Sequence, residues 1–208
     1  MTESLEIIKE FKLDNYLKIV IQKSTSNKAP YHNFFHVLCM VKNVYKIALS
    51  EGLLPKAIRP LLIAALFHDF NHSMGAHNDE WNVNEAISMF MLYSQEDAKT
   101  NKLVVSIIRA TQYPYVVEEE DLTLEQKIIR DADLLQQYES NYLQQVYYGL
   151  SEELNTTFEI LLQGYPVFIK GMKLHTDCAS QICEELSVSR DVDVAYLTDL
   201  LSEKPQNL

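Results

Sequence analysis

Glycine and proline are scarce in this chain, five and six among 208 residues. That scarcity argues against β architectures with many turns and in favour of long helices. Basic residues are outnumbered too: the formal net charge is −11, and no run of basic residues exceeds two. A long polyanion is normally held by a basic patch that releases counterions from its phosphates, so a nucleic acid polymer is not expected as partner. A small phosphorylated substrate is still allowed, because a metal ion can supply the local positive charge. Cysteine is sparse: Cys39, Cys178 and Cys183 form an odd set without a CxxC pair, which reads as buried free thiols in a reducing compartment. The start, "MTESLEIIKEFK", lacks the basic residues and apolar stretch of a signal peptide. The longest apolar run, "PLLIAALF", is too short to span a bilayer. The expectation is a cytoplasmic protein without a membrane partner.

What is present is ordinary for a globular protein: 47% hydrophobic and 23% charged residues, at a length that fits one domain with a single core. Apolar residues recur at helical spacing over most of the chain. "TESLEIIKEFKLDNYLKIVIQK" reads as one helix, and Tyr31 to about Leu49 as the next. "KAIRPLLIAALFHDF" is apolar nearly all round, the mark of a helix in the middle of a domain. "EWNVNEAISMFMLYS" and "KTNKLVVSIIRATQ" follow. Thr123 is placed to cap "LEQKIIRDADLLQQY". Glu152 to Leu186, interrupted at "QGYP", and Val192 to Ser202 complete the pattern, and "SEKPQNL" reads as a tail. "YVV" is a weak case for a strand. The fold class expected is all-α: a single domain over residues 1–208, about eight or nine helices, with its motifs in 30–140 and further helices over 150–202.

Four of the six histidines fall into two short clusters bedded in apolar sequence, "YHNFFH" and "HDFNH". Four residues apart on a helix, His32 and His36 would share a face. His68 and Asp69 are adjacent at the end of the apolar helix and can grip one ion between their side chains. Imidazole nitrogen with carboxylate oxygen suits Zn, Mn, Fe or Ni better than Ca. Burying Asp69 without a cation would cost several kcal/mol, and no Arg or Lys follows Arg59 in that stretch. In "IIRDADLLQQ" the apolar residues Ile128, Ile129, Ala132 and Leu135 put at least one of Asp131 and Asp133 on or near the buried face.

The order "YHNFFH", then "HDFNH", then "DADLL" in an all-α chain resembles the HD superfamily of metal-dependent phosphohydrolases. "YHNFFHV" is most similar to the signature "YHNxxHAxxV" of the class I cyclic nucleotide phosphodiesterases. The resemblance implies that His36, His68, Asp69 and Asp133, with Asp131 as the fallback, hold one or two divalent ions (Mn, Mg, Zn, Fe or Ni). It implies His32 as general acid, flanked by Tyr31 and Asn33, His72 beside the bridging water, and Glu85 of "NEAIS" as hydrogen-bond partner of a catalytic histidine. Tyr31, Asn78 and Gln163 would contact substrate, Gln163 with Phe168 in the position of a base clamp.

This chain departs from the phosphodiesterase pattern in two places. The loop reads "HDFNHSMGAHN" rather than "HDxDHPGxxN", and Gln163 stands five residues before Phe168 instead of three. The activity implied is hydrolysis of a small nucleotide phosphoester, a 3′,5′-cyclic nucleotide first. Alternatives are a nucleoside monophosphate phosphatase, a nucleotide pyrophosphohydrolase and, more distantly, a di-iron oxygenase that would enlist His72 and His77. His77 reads more readily as an exposed loop residue than as a ligand, and His175 as structural. Trp81 and the tyrosines of "QQYESNYLQQVYYG" could stack on a base or pack between helices. A homodimer is possible through the amphipathic first helix.

Overall fold

Lys12 is the first point at which the structure departs from the sequence pattern. Its left-handed backbone, φ 56°, splits the expected first helix into α1 (Thr2–Glu10) and α2 (Asp14–Lys23). With that turn both Phe11 and Leu13 enter the core. A computed structural model describes residues 2–202; residues 203–208, most of the expected tail, lie outside the described residues.

The remaining helices are α3 (Phe34–Ser50), α4 (Pro55–Phe67), α5 (Asp79–Tyr93), α6 (Ala98–Arg109), α7 (Leu124–Leu134), α8 (Gly149–Glu153), α9 (Phe158–Gly171) and α10 (Asp177–Ser202). The protein is all-α as expected, with ten α-helices rather than eight or nine and, among the described residues, no strand, "YVV" included. None of these helices is long and apolar enough to cross a membrane.

Helix α4 is the axis of the domain. Every residue from Leu61 to Phe67 is buried, and α2, α3, α5, α6 and α7 all pack on it. Each large apolar side chain so buried contributes about 1.5–3 kcal/mol. The end of α4 is therefore one of the most firmly placed points in the protein, and His68 is its C-terminal cap residue. Thr123 caps α7 as expected, in a reciprocal box with Gln126.

Two expectations fail toward the C-terminus. "QGYP" does not break its helix: α9 runs through Gly164 and Pro166. Leu162 and Tyr165 on that helix anchor in a second small cluster with Tyr142, Tyr147 and Val194, and tertiary packing outweighs the local cost of proline. Helix α10 is also continuous across residues 187–191. There Arg190 is buried with its guanidinium 3.4 Å above the Tyr142 ring.

Candidate active site

Three segments converge at the edge of the core: the start of α3, the end of α4 with its following turn, and the last turn of α7. The first is set by Asn33, whose side-chain oxygen accepts the N–H groups of Phe35 (2.8 Å) and His36 (3.2 Å) and so begins α3 at Phe34, two residues after His32. His32 and His36 are thus not on one helix face, as the spacing suggests, although their rings lie 6.0 Å apart. The second segment is held by buried Ser26. Its hydroxyl donates to the Asp69 carbonyl (2.6 Å) and accepts the His72 N–H (2.6 Å), fixing the tight turn that joins them.

The convergence brings His36 Nε2 within 3.0 Å of His68 Nε2 and 3.1 Å of Asp69 Oδ2, and His68 Nε2 within 2.9 Å of the same oxygen. Asp133 Oδ1 stands 3.4 Å from His36 Nε2. Both imidazoles face this point with their unprotonated nitrogen if the other carries the hydrogen, and it does have a partner in each case. His68 Nδ1 donates to the Ala65 carbonyl at 3.0 Å, and His36 Nδ1 to Gln136 Oε1 at 3.3 Å. Asp69 Oδ2 is buried and makes no hydrogen bond. Lone pairs gathered this closely repel one another unless a positive centre sits among them. In the metal-free protein a proton can serve: burial pulls the His68 imidazole down, but Asp69 outweighs it and pushes the group up to about 9. Burial likewise pushes Asp69 up, and the charges of His68 and His32 more than offset it, holding the carboxyl well below its usual range. A divalent cation competes for that same place. Two nitrogens and two carboxylates suit a transition metal or Mg better than Ca. On the outer side, the Asp133 side chain is 35% exposed, so the site opens to solvent there.

Asp131 is not part of this group. Its carboxylate accepts the N–H groups of His175 (3.0 Å) and Thr176 (2.8 Å) and the Thr176 hydroxyl (2.7 Å), and it anchors the entry to α10. Replacing Asp131 by alanine strands buried donors and is expected to cost about 3 kcal/mol, or about 6–12 °C in melting temperature. The metal stoichiometry of the folded protein should be unchanged. A calorimetric melt and metal analysis would check both.

Beside the metal-type cluster lies a second group. His32 Nδ1 is 2.5 Å from Glu153 Oε2, and Glu153 Oε1 accepts the backbone N–H of Tyr31 (2.7 Å) and of His32 (2.9 Å). The His72 ring stacks on His32 at 3.6 Å, and its Nδ1 accepts the Met74 N–H at 3.2 Å. The three side chains lie close enough together to hold an ion, but the Glu153 oxygens and His72 Nδ1 are already engaged by hydrogens, unlike Asp69 Oδ2. Burial lowers the His32 pKa, but the Asp69 charge and the Glu153 hydrogen bond more than compensate and raise it. Burial and the charge of His32 push His72 down to about 4. The two stacked imidazoles are therefore pushed in opposite directions, His32 up and His72 down. Tyr31 packs its ring 4.6 Å from His32 and 5.0 Å from His36.

Glycine sets the distances. A Cβ on Gly149 would fall 2.8 Å from the Pro30 carbonyl oxygen, and one on Gly75, where φ is 82°, 2.9 Å from that of Glu153. Only glycine lets α8 approach both histidine segments and deliver Glu153 between them.

Three sequence expectations are corrected. Glu85 touches no imidazole; it accepts a hydrogen bond from Asn71 Nδ2 at 2.9 Å, and the imidazole partner is Glu153. Asn78 is the N-cap of α5, its side-chain oxygen taken by the Trp81 N–H at 3.0 Å. Gln163 is exposed on α9 and lines a groove of about 720 Å³ between α9 and α10 that includes none of the clustered residues. His77 joins neither cluster and stacks on Trp81 at 4.3 Å. Besides Glu153, sequence reasoning missed Gln136 and Ser26. Gln136 carried a signal, being one helical turn beyond Asp133.

With these positions fixed, the comparison with known families becomes specific. The family model for the HD domain matches residues 33–137. The chain belongs to the HD domain family. HD domains are typical of metal-dependent phosphohydrolases, and the match runs from the cap of α3 past Asp133, taking in all four residues of the metal-type cluster. Comparisons with curated proteins and with solved structures give no match. Tyr31, His32 and Glu153 lie outside the matched span, and His72 lies inside it.

Proposed function

We propose that this HD domain protein hydrolyses a phosphoester of a small nucleotide, with a 3′,5′-cyclic nucleotide as the best substrate. The observation that carries the reading is the His32–Glu153 pair placed beside the His36, His68, Asp69 and Asp133 cluster. A ribose alkoxide leaving from phosphorus needs a proton, which the cluster alone does not supply.

One or two divalent ions would be held by His36, His68, Asp69 and Asp133, with Asp69 shared if there are two. Such an ion supplies Lewis-acid polarisation of a phosphoryl oxygen and a water acidic enough to ionise near neutral pH. His36 and His68 are oriented for this by Gln136 and the Ala65 carbonyl. His32, whose proton Glu153 favours and whose side chain is 21% exposed, gives its proton to the departing ribose oxygen. Water adds to phosphorus, one P–O ester bond breaks, a 5′-monophosphate results and His32 regains its proton from solvent. His72 stays neutral, with its ring against that of His32. Tyr31 fixes the position of both site histidines on its side.

A second reading, a nucleoside monophosphate phosphatase, draws support from one observation: Gln163 lies on a groove apart from the clusters and not where it could clamp a cyclic nucleotide's base. The test is hydrolysis by Mn²⁺-loaded protein of 3′,5′-cyclic mononucleotides, 5′-monophosphates and a guanosine pyrophosphate, followed by chromatography. Opening of the cyclic nucleotides, abolished in His32→Ala, is the expected result. Turnover of monophosphates alone, with His32→Ala still active, would replace it with the phosphatase reading.

A further inference from the structure

Arg130 is 3% exposed and, among the described residues, faces no carboxylate within salt-bridge distance. Burying a guanidinium this way is costly unless its donors and its face are occupied. They are: Nε donates to the Ala110 carbonyl at 2.8 Å, a terminal nitrogen to the Val117 carbonyl at 3.2 Å, and the plane lies 3.8 Å under the Tyr115 ring. The two carbonyls bracket the loop 111–117, so Arg130 fixes the loop and the ring together. A second tie comes from Asp79, whose Oδ2 accepts the Tyr113 N–H at 2.6 Å and closes the loop onto the start of α5.

The position of that ring matters. Arg130 and Asp133 are three residues apart on α7 and share a face, which puts Tyr115 on the Asp133 side of α7, toward the partly exposed mouth of the metal-type cluster. The Asp133 charge reaches its phenol, which burial and that charge push up to about 12. The residue remains 40% exposed although Arg130 covers one side of its ring and the Tyr113 ring meets it in a T-shaped contact at 5.6 Å. A tyrosine that served only the core would be buried.

We propose that the base of the nucleotide substrate stacks on the exposed face of Tyr115, with Arg130 as the rigid backing, making Tyr115 a specificity-determining residue. The proposal rests on the nucleotide reading above and names the part of the site that holds the base, and so tells a nucleotide from a baseless phosphoester, once Gln163 is set aside. An aromatic ring held flat by a cation offers a stacking surface open to any base. The phosphate at the cluster and the base on Tyr115 would then lie at the two ends of one nucleoside.

The test pairs two substrates of the Mn²⁺-loaded protein, a 3′,5′-cyclic nucleotide and ribose 3′,5′-cyclic phosphate without a base, across Tyr115→Phe, Tyr115→Trp and Tyr115→Leu. Leucine keeps apolar volume and removes the π face. Tyr115→Leu should raise KM for the nucleotide about tenfold or more with kcat little changed, leave the abasic substrate within about twofold, and be rescued by Phe and Trp. An equal fall on both substrates, or no fall on either, would overturn the proposal. Equilibrium dialysis of the nucleotide separates this from the hydrolysis reading. If wild type turns over neither substrate but binds the nucleotide about tenfold more tightly than Tyr115→Leu does, hydrolysis is wrong and stacking stands. Equal binding by the two proteins, or none, overturns stacking as well.

Discussion

Asp69→Asn should abolish both metal binding and hydrolysis. The amide keeps the shape of the carboxylate but removes the charge around which His36 and His68 are gathered. Lewis-acid stabilisation worth about 4 kcal/mol corresponds to a thousandfold in rate, so kcat/KM should fall by at least about that factor, and bound Mn²⁺ by elemental analysis should approach zero. Wild type should gain about 2.7 kcal/mol at a Mn²⁺ concentration a hundred times its Kd, or about 5–10 °C; the variant should gain nothing. Metal-free protein gives a separate reading. The folded His68 pKa is raised from 6.5 to about 9, so its contribution to stability is fully present below pH 6.5 and is lost as pH rises through about 9. Metal-free wild type should lose stability across that window, and Asp69→Asn should lack the slope. A variant that still binds one equivalent of Mn²⁺ would remove Asp69 from the ligand set.

This cluster was the part of the site most legible in the sequence. His68 and Asp69 follow an unbroken apolar helix, and chain continuity alone put them at the edge of the core. The choice between Asp131 and Asp133 was less so. Both flank Ala132 on α7, and what separates them is the set of donors at His175 and Thr176, 44 and 45 residues away. Glu153 was not legible at all. In "SEEL" it reads as one of two acids on a solvated helix, and its partner His32 is 121 residues distant. Local patterns carry information about helix faces; they carry little about which distant helix brings a carboxylate to a histidine. The same limit explains Glu85, whose neighbour turned out to be Asn71, and Gln163, whose helix packs away from the clusters. Where the fold departed from expectation the causes were also tertiary or single-residue: one left-handed lysine at position 12, and a proline tolerated in α9 because Leu162 and Tyr165 hold that helix in place.

Glu153→Gln should leave the metal in place and disable the proton donor. The amide oxygen can keep the two backbone hydrogen bonds from Tyr31 and His32, so the turn before α3 is retained; what is lost is the negative charge facing His32 Nδ1. Of the three groups that raise the His32 pKa, Asp69, Glu153 and Asp133, the two aspartates would be largely neutralised by a bound cation, which leaves Glu153 as the main support of the imidazolium. Without it His32 loses its proton at lower pH. The high-pH limb of kcat, where the acid form disappears, should therefore move toward lower pH. General acid catalysis contributes about 10²–10⁴, and a ribose alkoxide should show a loss in that range at neutral pH. A p-nitrophenyl phosphodiester, whose leaving group needs no proton, should lose less than about tenfold by the same reasoning. That contrast is what a purely structural role could not produce. If both substrates fell together, with an unshifted pH profile and unchanged Mn²⁺ content, Glu153 would be a positioning residue for the segment Tyr31–Asn33 rather than the support of an acid. Gly149→Ala, which moves α8 without altering any charge, would then be expected to give the same uniform loss.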